Sequence, residues 1–134
     1  MADTRTRKLE TTPANLGFGD FLATHRAALV VLSGNDPGSE FELDQAKLSL
    51  GRGPGVDLAF EDSSMSREHA IFEYADGGFR VRDLGSTNGT HQNDVSVKTA
   101  DVSHGDRLRL GDHVFQFLLE DIAPTPKTYV LTDV

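Results

Sequence analysis

The 134-residue sequence has no cysteine and no tryptophan. Without cysteine there is no disulfide framework, no thiolate nucleophile and no thiolate metal site. Long apolar runs are missing too: nothing approaches the ~20 apolar residues needed to cross a bilayer as a helix. Residues 1–7 are polar with no apolar stretch behind them. No secretory signal is therefore expected, and the cytoplasm is the expected compartment. Basic residues are in deficit, 13 Lys and Arg against 21 Asp and Glu, for a net charge of −8. Nucleic acid and anionic membrane are bound through basic surface, so neither is expected as the main partner. One local cationic pocket remains compatible with this balance, and the surrounding acids would repel anions that miss it.

What is present has the composition of a globular domain, 37% hydrophobic and 25% charged. Residues 1–26 are expected to be a flexible N-terminal arm, 27–120 a folded domain, and 121–134 a flexible C-terminal tail rich in threonine and proline. Within the arm, Phe18, Phe21 and Leu22 can form one apolar face, either of a short helix from Asp20 or of a loosely packed leader. From Ala27 onward the texture is all-β. Short apolar or alternating runs fall at 28–32, 40–43, 47–52, 56–60, 70–74, 79–84, 90–93, 95–98, 106–110 and 114–119. Ser33-Gly34-Asn35-Asp36-Pro37-Gly38, Gly77-Gly78 and Gly111-Asp112 punctuate them as turns. About ten or eleven short strands with almost no helix predict a β-sandwich.

One loop stands out, Leu84-Gly85-Ser86-Thr87-Asn88-Gly89-Thr90, which sets hydroxyls and a carboxamide between two glycines. Loops of a sandwich cluster at its two ends, so turns distant in sequence can share one apex. If the turns carrying Arg52, Ser66 and Thr87-Asn88 converge, they present a guanidinium, two hydroxyls and an amide together. That set matches a phosphate monoester on a peptide, with about −1.5 to −2 charges and three strong acceptor oxygens. Arginine supplies paired donors and a permanent charge, and asparagine can hold a peptide backbone. The alternative is an ordinary turn whose polar groups satisfy their own backbone.

Taken together, these blocks resemble the forkhead-associated (FHA) family. They run in order: Leu50-Gly51-Arg52, then Ser66-Arg67-Glu68-His69, then Asp83 through Thr90, then Asn93, with Gly105-Asp106 and Leu110-Gly111 following. The likeness covers about residues 28–118. It implies an eleven-stranded FHA-type β-sandwich that binds phosphothreonine peptides through loops at one end. It further implies that Arg52, Ser66 and Thr87 contact phosphate. Arg67, Asn88 and Ser86 would serve the peptide, and Gly51, His69 and Gly89 would be structural. Phosphothreonine proteins and a Ser/Thr protein kinase are the partners so implied, with no cofactor and no catalysis.

The same residues admit other readings. Ser66, His69 and Asp83 are the residue types of a hydrolase triad, but there is no Gly-x-Ser-x-Gly elbow. Gly51-Arg52-Gly53-Pro54-Gly55 lacks the Lys-Ser/Thr of a P-loop. His25, His69, His91, His104 and His113 have no metal-ligand spacing. A phospho-independent FHA-fold scaffold is the runner-up. Finally, Glu10-Thr11-Thr12-Pro13 is similar to the arm of small actinobacterial FHA regulators of the GarA type. That similarity implies kinase phosphorylation at Thr11 or Thr12 and folding of the arm back into its own pocket. Pro13 and the short spacer depart from the pattern. Thr125 and Thr128 are weaker candidates for the same role.

Overall fold

The computed structural model of the chain describes residues 17–122. Thr11, Thr12, Thr125 and Thr128 lie outside the described residues. One helix, α1 (Phe18–Thr24), precedes eleven strands. These are β1 (His25–Ser33), β2 (Glu40–Glu42), β3 (Lys47–Gly51), β4 (Leu58–Ala59), β5 (Ala70–Ala75) and β6 (Gly78–Asp83). Then come β7 (Thr90–Gln92), β8 (Val95–Val97), β9 (Thr99–Val102), β10 (Arg107–Leu110) and β11 (His113–Asp121). They form a six-stranded sheet, β2-β1-β11-β10-β7-β8, and a five-stranded sheet, β4-β3-β5-β6-β9. This is the expected all-β sandwich.

Alternation builds its core. Leu29 and Val31 of β1, Leu108 and Leu110 of β10, and Phe115 and Phe117 of β11 point inward from one sheet. Leu48 and Leu50 of β3, Phe72 of β5, and Phe79 and Val81 of β6 meet them from the other. Edge-to-face rings such as Phe79 and Phe117, with centroids 6.2 Å apart, lock the two layers together.

Register decides where the loops go. Leu50 pairs with Ala70 across β3 and β5, and Ala70 pairs with Asp83 across β5 and β6. The end of β3, the start of β5 and the end of β6 therefore lie side by side. The chain leaves or enters all three at one edge of the sandwich, so the turns after Gly51, before Ala70 and after Asp83 share an apex.

The structure also departs from the expected elements. β9 falls where no strand was expected, and β4 is two residues long rather than spanning 56–60. The helix begins at Phe18 rather than Asp20, and β1 begins at His25 rather than within 28–32. Residues 17–26, assigned to the arm from sequence, thus carry a helix and the start of the first strand. A seven-residue helix has little stability of its own. Burial of Phe21 holds it: the ring is fully enclosed and stacks on His25 at 4.8 Å, with Tyr74 at 4.9 Å and Phe79 at 5.9 Å. Phe21→Ala should therefore lower the unfolding free energy measured in urea by about 3 kcal/mol, the usual cost of emptying a phenylalanine site in a core.

Candidate functional site

The apex is assembled by backbone before any side chain reaches solvent. The N–H of Arg52 donates to Ser66 O at 3.0 Å, and that of Gly53 donates to Arg67 O at 3.1 Å. The turn after β3 is thereby zipped to the turn before β5. Gly51 makes this approach feasible, because a Cβ there would lie 2.0 Å from Arg67 O. No rotamer change relieves a clash with backbone.

His69 ties the third turn to the other two. It is fully buried, and its own backbone bridges Leu50 and Leu84. The backbone N–H of Ser66 donates to Nδ1 at 3.1 Å, which makes Nδ1 the acceptor. Nε2 therefore carries the proton and donates to Gly89 O at 2.9 Å. Burial pushes the His69 pKa down, against the pull of the Gly89 carbonyl and the Asp83 and Asp62 charges. The imidazole is neutral and each nitrogen is used once.

Asp83, at the end of β6, shapes the 84–90 loop. Its carboxylate accepts the N–H groups of Gly85 and Ser86, both at 3.0 Å. It also accepts the hydroxyls of Ser86 at 2.6 Å and Thr90 at 2.7 Å. Burial tends to raise its pKa, but the donated hydrogen bonds outweigh this and hold it below the ordinary carboxylate value. Gly85 and Gly89 complete the turn at φ of 73° and 85°, where a side chain would strain the backbone.

On this frame stands a depression of about 250 Å³ lined by Arg52, Ser64, Met65, Ser66, Thr87 and Asn88, among others, with Arg67 also on its wall. The Ser66 hydroxyl oxygen accepts the Thr87 N–H at 2.9 Å, which leaves the hydroxyl proton to donate outward. Arg52 anchors its Nε on Met65 O at 3.0 Å, so its two terminal nitrogens keep their donors free for the depression. Asn88 spends one amide proton on Ser64 O at 2.8 Å and retains the other together with its Oδ1. The lining offers free N–H and O–H donors, and two of its side chains, Arg52 and Arg67, carry a fixed positive charge. The arrangement suits an oxygen-rich anion attached to an extended chain.

A family model described as "Inner membrane component of T3SS, cytoplasmic domain" matches residues 30–121. The chain is 41% identical over 97 residues to the glycogen accumulation regulator GarA of Mycolicibacterium smegmatis, covering 72% of this chain and 61% of that one. It is 37% identical over 108 residues to the oxoglutarate dehydrogenase inhibitor of Corynebacterium glutamicum, covering 81% and 75%. A solved structure titled for phosphothreonine-dependent FHA domain interactions matches with a TM-score of 0.64 at 27% identity, covering 69% of this chain and 95% of that one. The chain belongs to the forkhead-associated family. Within it the chain is GarA-like, although it spans less than two thirds of the length of that GarA relative.

Not every residue assigned to the FHA site from sequence faces the depression. Ser86 was expected on the peptide, but its hydroxyl donates to Asp83 and accepts the Gly89 N–H at 2.9 Å. That side chain holds the loop instead. The hydrolase arrangement is not assembled either: His69 faces the backbone N–H of Ser66 rather than its hydroxyl, so no base meets the would-be nucleophile. Among the described residues there is no cluster of three metal-ligating side chains, and no helix is long and apolar enough to cross a membrane.

A second buried histidine, unassigned from sequence, supports the same FHA apex. His113 accepts the Asn35 N–H on Nε2 at 3.3 Å, and its Nδ1 meets Asp62 at 2.9 Å. Asp62 in turn takes the Ser64 hydroxyl at 2.6 Å, and Ser64 O receives Asn88. Gly111 fits against this turn only because it lacks a Cβ, which would fall 2.3 Å from Ser64 O. The one available sequence signal was Asp62-x-Ser64, a carboxylate two residues before a hydroxyl, as in an Asx-type turn.

The His69 geometry has a definite pH consequence. A histidine whose folded pKa is lowered contributes stability that is complete above its unfolded value, about 6.5, and is lost as pH falls below it. Asp62, Asp83 and Asp106 are held low, so their contributions persist until about pH 4. Urea unfolding should therefore show stability declining as pH falls below about 6.5, with a shallower decline in His69→Gln.

Proposed function

We propose that this protein is a non-catalytic, cytoplasmic phosphothreonine-binding regulator in Ser/Thr kinase signalling. The observation that carries the proposal is the convergence of Arg52, Ser66, Thr87 and Asn88 on one depression, with the Ser66 hydroxyl proton left free by the Thr87 N–H. The Arg52 guanidinium and the Ser66 and Thr87 hydroxyls take the phosphate oxygens. Asn88, through its remaining amide proton and Oδ1, holds the peptide backbone, and Arg67 lines the groove. The relatives named for inhibition of oxoglutarate dehydrogenase and for glycogen regulation support a regulator that acts by binding an enzyme.

Binding through so small a site gives affinities in the micromolar range, since the contact area is limited. The threonine methyl adds about 0.8 kcal/mol where it is buried, so phosphoserine binds a few-fold more weakly. The N-terminal arm supplies a regulatory ligand in this reading: phosphorylated at Thr11 or Thr12, it occupies the depression and excludes partners. Because α1 begins at Phe18, only residues 13–17 separate Thr12 from the docked fold and reach on the order of 17 Å when extended; release of α1 lengthens the spacer to residues 13–24, on the order of 40 Å, and tethering then gives an effective concentration near millimolar.

Two measurements test this. By calorimetry, Arg52→Ala should weaken a phosphothreonine peptide about 100-fold, equivalent to ~2.7 kcal/mol, with an unchanged unfolding midpoint. A phospho-independent scaffold would lose nothing. Kinase-phosphorylated protein should bind the same peptide at least about tenfold more weakly than unphosphorylated protein, and Thr11→Ala with Thr12→Ala should restore binding.

A further inference from the structure

Next to the phosphate-binding depression lies a larger groove of about 310 Å³, walled by the turn after β1 and the segment around β4. Its residues include Asn35, Asp36, Phe41, Ala59, Phe60 and Glu61. Phe41 and Phe60 meet edge to face at 5.3 Å and give it an aromatic wall. Asp36 and Glu61 are both exposed. Among the described residues neither carboxylate has a hydrogen bond or an ion pair.

One turn ties the groove to the site already described. Glu61 lines it and Ser63 lines the phosphate-binding depression, with only Asp62 between them. Asp62 is the residue fixed by His113, which also takes the Asn35 N–H from the opposite wall. One buried ring thus sets the distance between the walls of the groove and, through Ser64 and Asn88, the position of the depression beside it.

We propose that this groove is a second subsite of the same binding apex, taking a lysine or arginine side chain from the phosphothreonine partner. Unpaired carboxylates lining one groove with two aromatic rings match a cation on an aliphatic stem: the stem packs against Phe41 and Phe60, and the head pairs with Asp36 and Glu61. The inference rests on the phosphothreonine reading above and deepens it. The partner is a peptide carrying a phosphothreonine and, a few residues away on one side, a basic residue. A protein of net charge −8 thereby selects a partner that is anionic at one point and cationic at another.

The test is fluorescence polarisation with a labelled alanine-glycine peptide containing one phosphothreonine, and with variants that move a single lysine through each flanking position. Lysine at one or two positions on one side should raise affinity about five- to tenfold over the all-alanine peptide, less at high salt. The double variant Asp36→Asn with Glu61→Gln should lose that gain and still bind the alanine peptide as the native protein does. Equal binding at every lysine position, or a gain that survives in the double variant, overturns this subsite alone. Failure of every phosphothreonine peptide to bind, or binding that Arg52→Ala leaves intact, overturns it together with the phosphothreonine reading.

Discussion

A single neutral imidazole, His69, joins turns that lie twenty residues apart. It accepts from the backbone of Ser66 and donates to the carbonyl of Gly89; the first bond requires Nδ1 unprotonated, and the ring is enclosed. The Thr87 N–H takes one lone pair of the Ser66 hydroxyl oxygen and leaves its proton to donate outward, and that contact depends on how the two turns are spaced. The close approach at Gly51 fixes the third turn against the same strand end. Charge is the visible property of the depression, but spacing makes the charge useful.

The apex uses carboxylates as internal acceptors while it presents donors to solvent. Asp83 and Asp62 each stay ionised by collecting hydroxyl and backbone protons. This draws Ser86, Thr90 and Ser64 inward and stiffens the loops that carry Thr87 and Asn88. The cost is negative charge near the place proposed for a phosphate, which Arg52 and Arg67 must offset. A net charge of −8 over the whole chain adds to that opposition at long range, and salt screens it beyond about 10 Å. Modest affinity and discrimination by local geometry follow from this balance.

Sequence pattern carried much of the sandwich because alternation and turn residues are local signals. β9 escaped because Thr99-Ala100-Asp101-Val102 has a single buried apolar side chain, Val102, and pairs on one side only, with β6. The chain also changes sheets between Val97 of β8 and Thr99 of β9, which no local periodicity records. The helix boundary was missed for a related reason: Phe18 through Thr24 is helical because Phe21 finds a socket made by Tyr74 and Phe79. In the site, Arg52, Ser66, Thr87 and Asn88 were visible as motif blocks, since each lies in a short Gly- or Ser-marked turn. The inward turn of Ser86 and the Asp62–His113 link were not, because both depend on partners fixed by the fold, in the second case 51 residues away.

The account centres on a cup formed by three turns, and amide shift mapping in solution reads it most directly. Titrating a phosphothreonine peptide into labelled protein should move the amide signals of Arg52, Ser66, Thr87 and Asn88 first and furthest, and the unphosphorylated peptide should leave them in place. Equal shifts with either peptide, or shifts confined to another face of the sandwich, would contradict it.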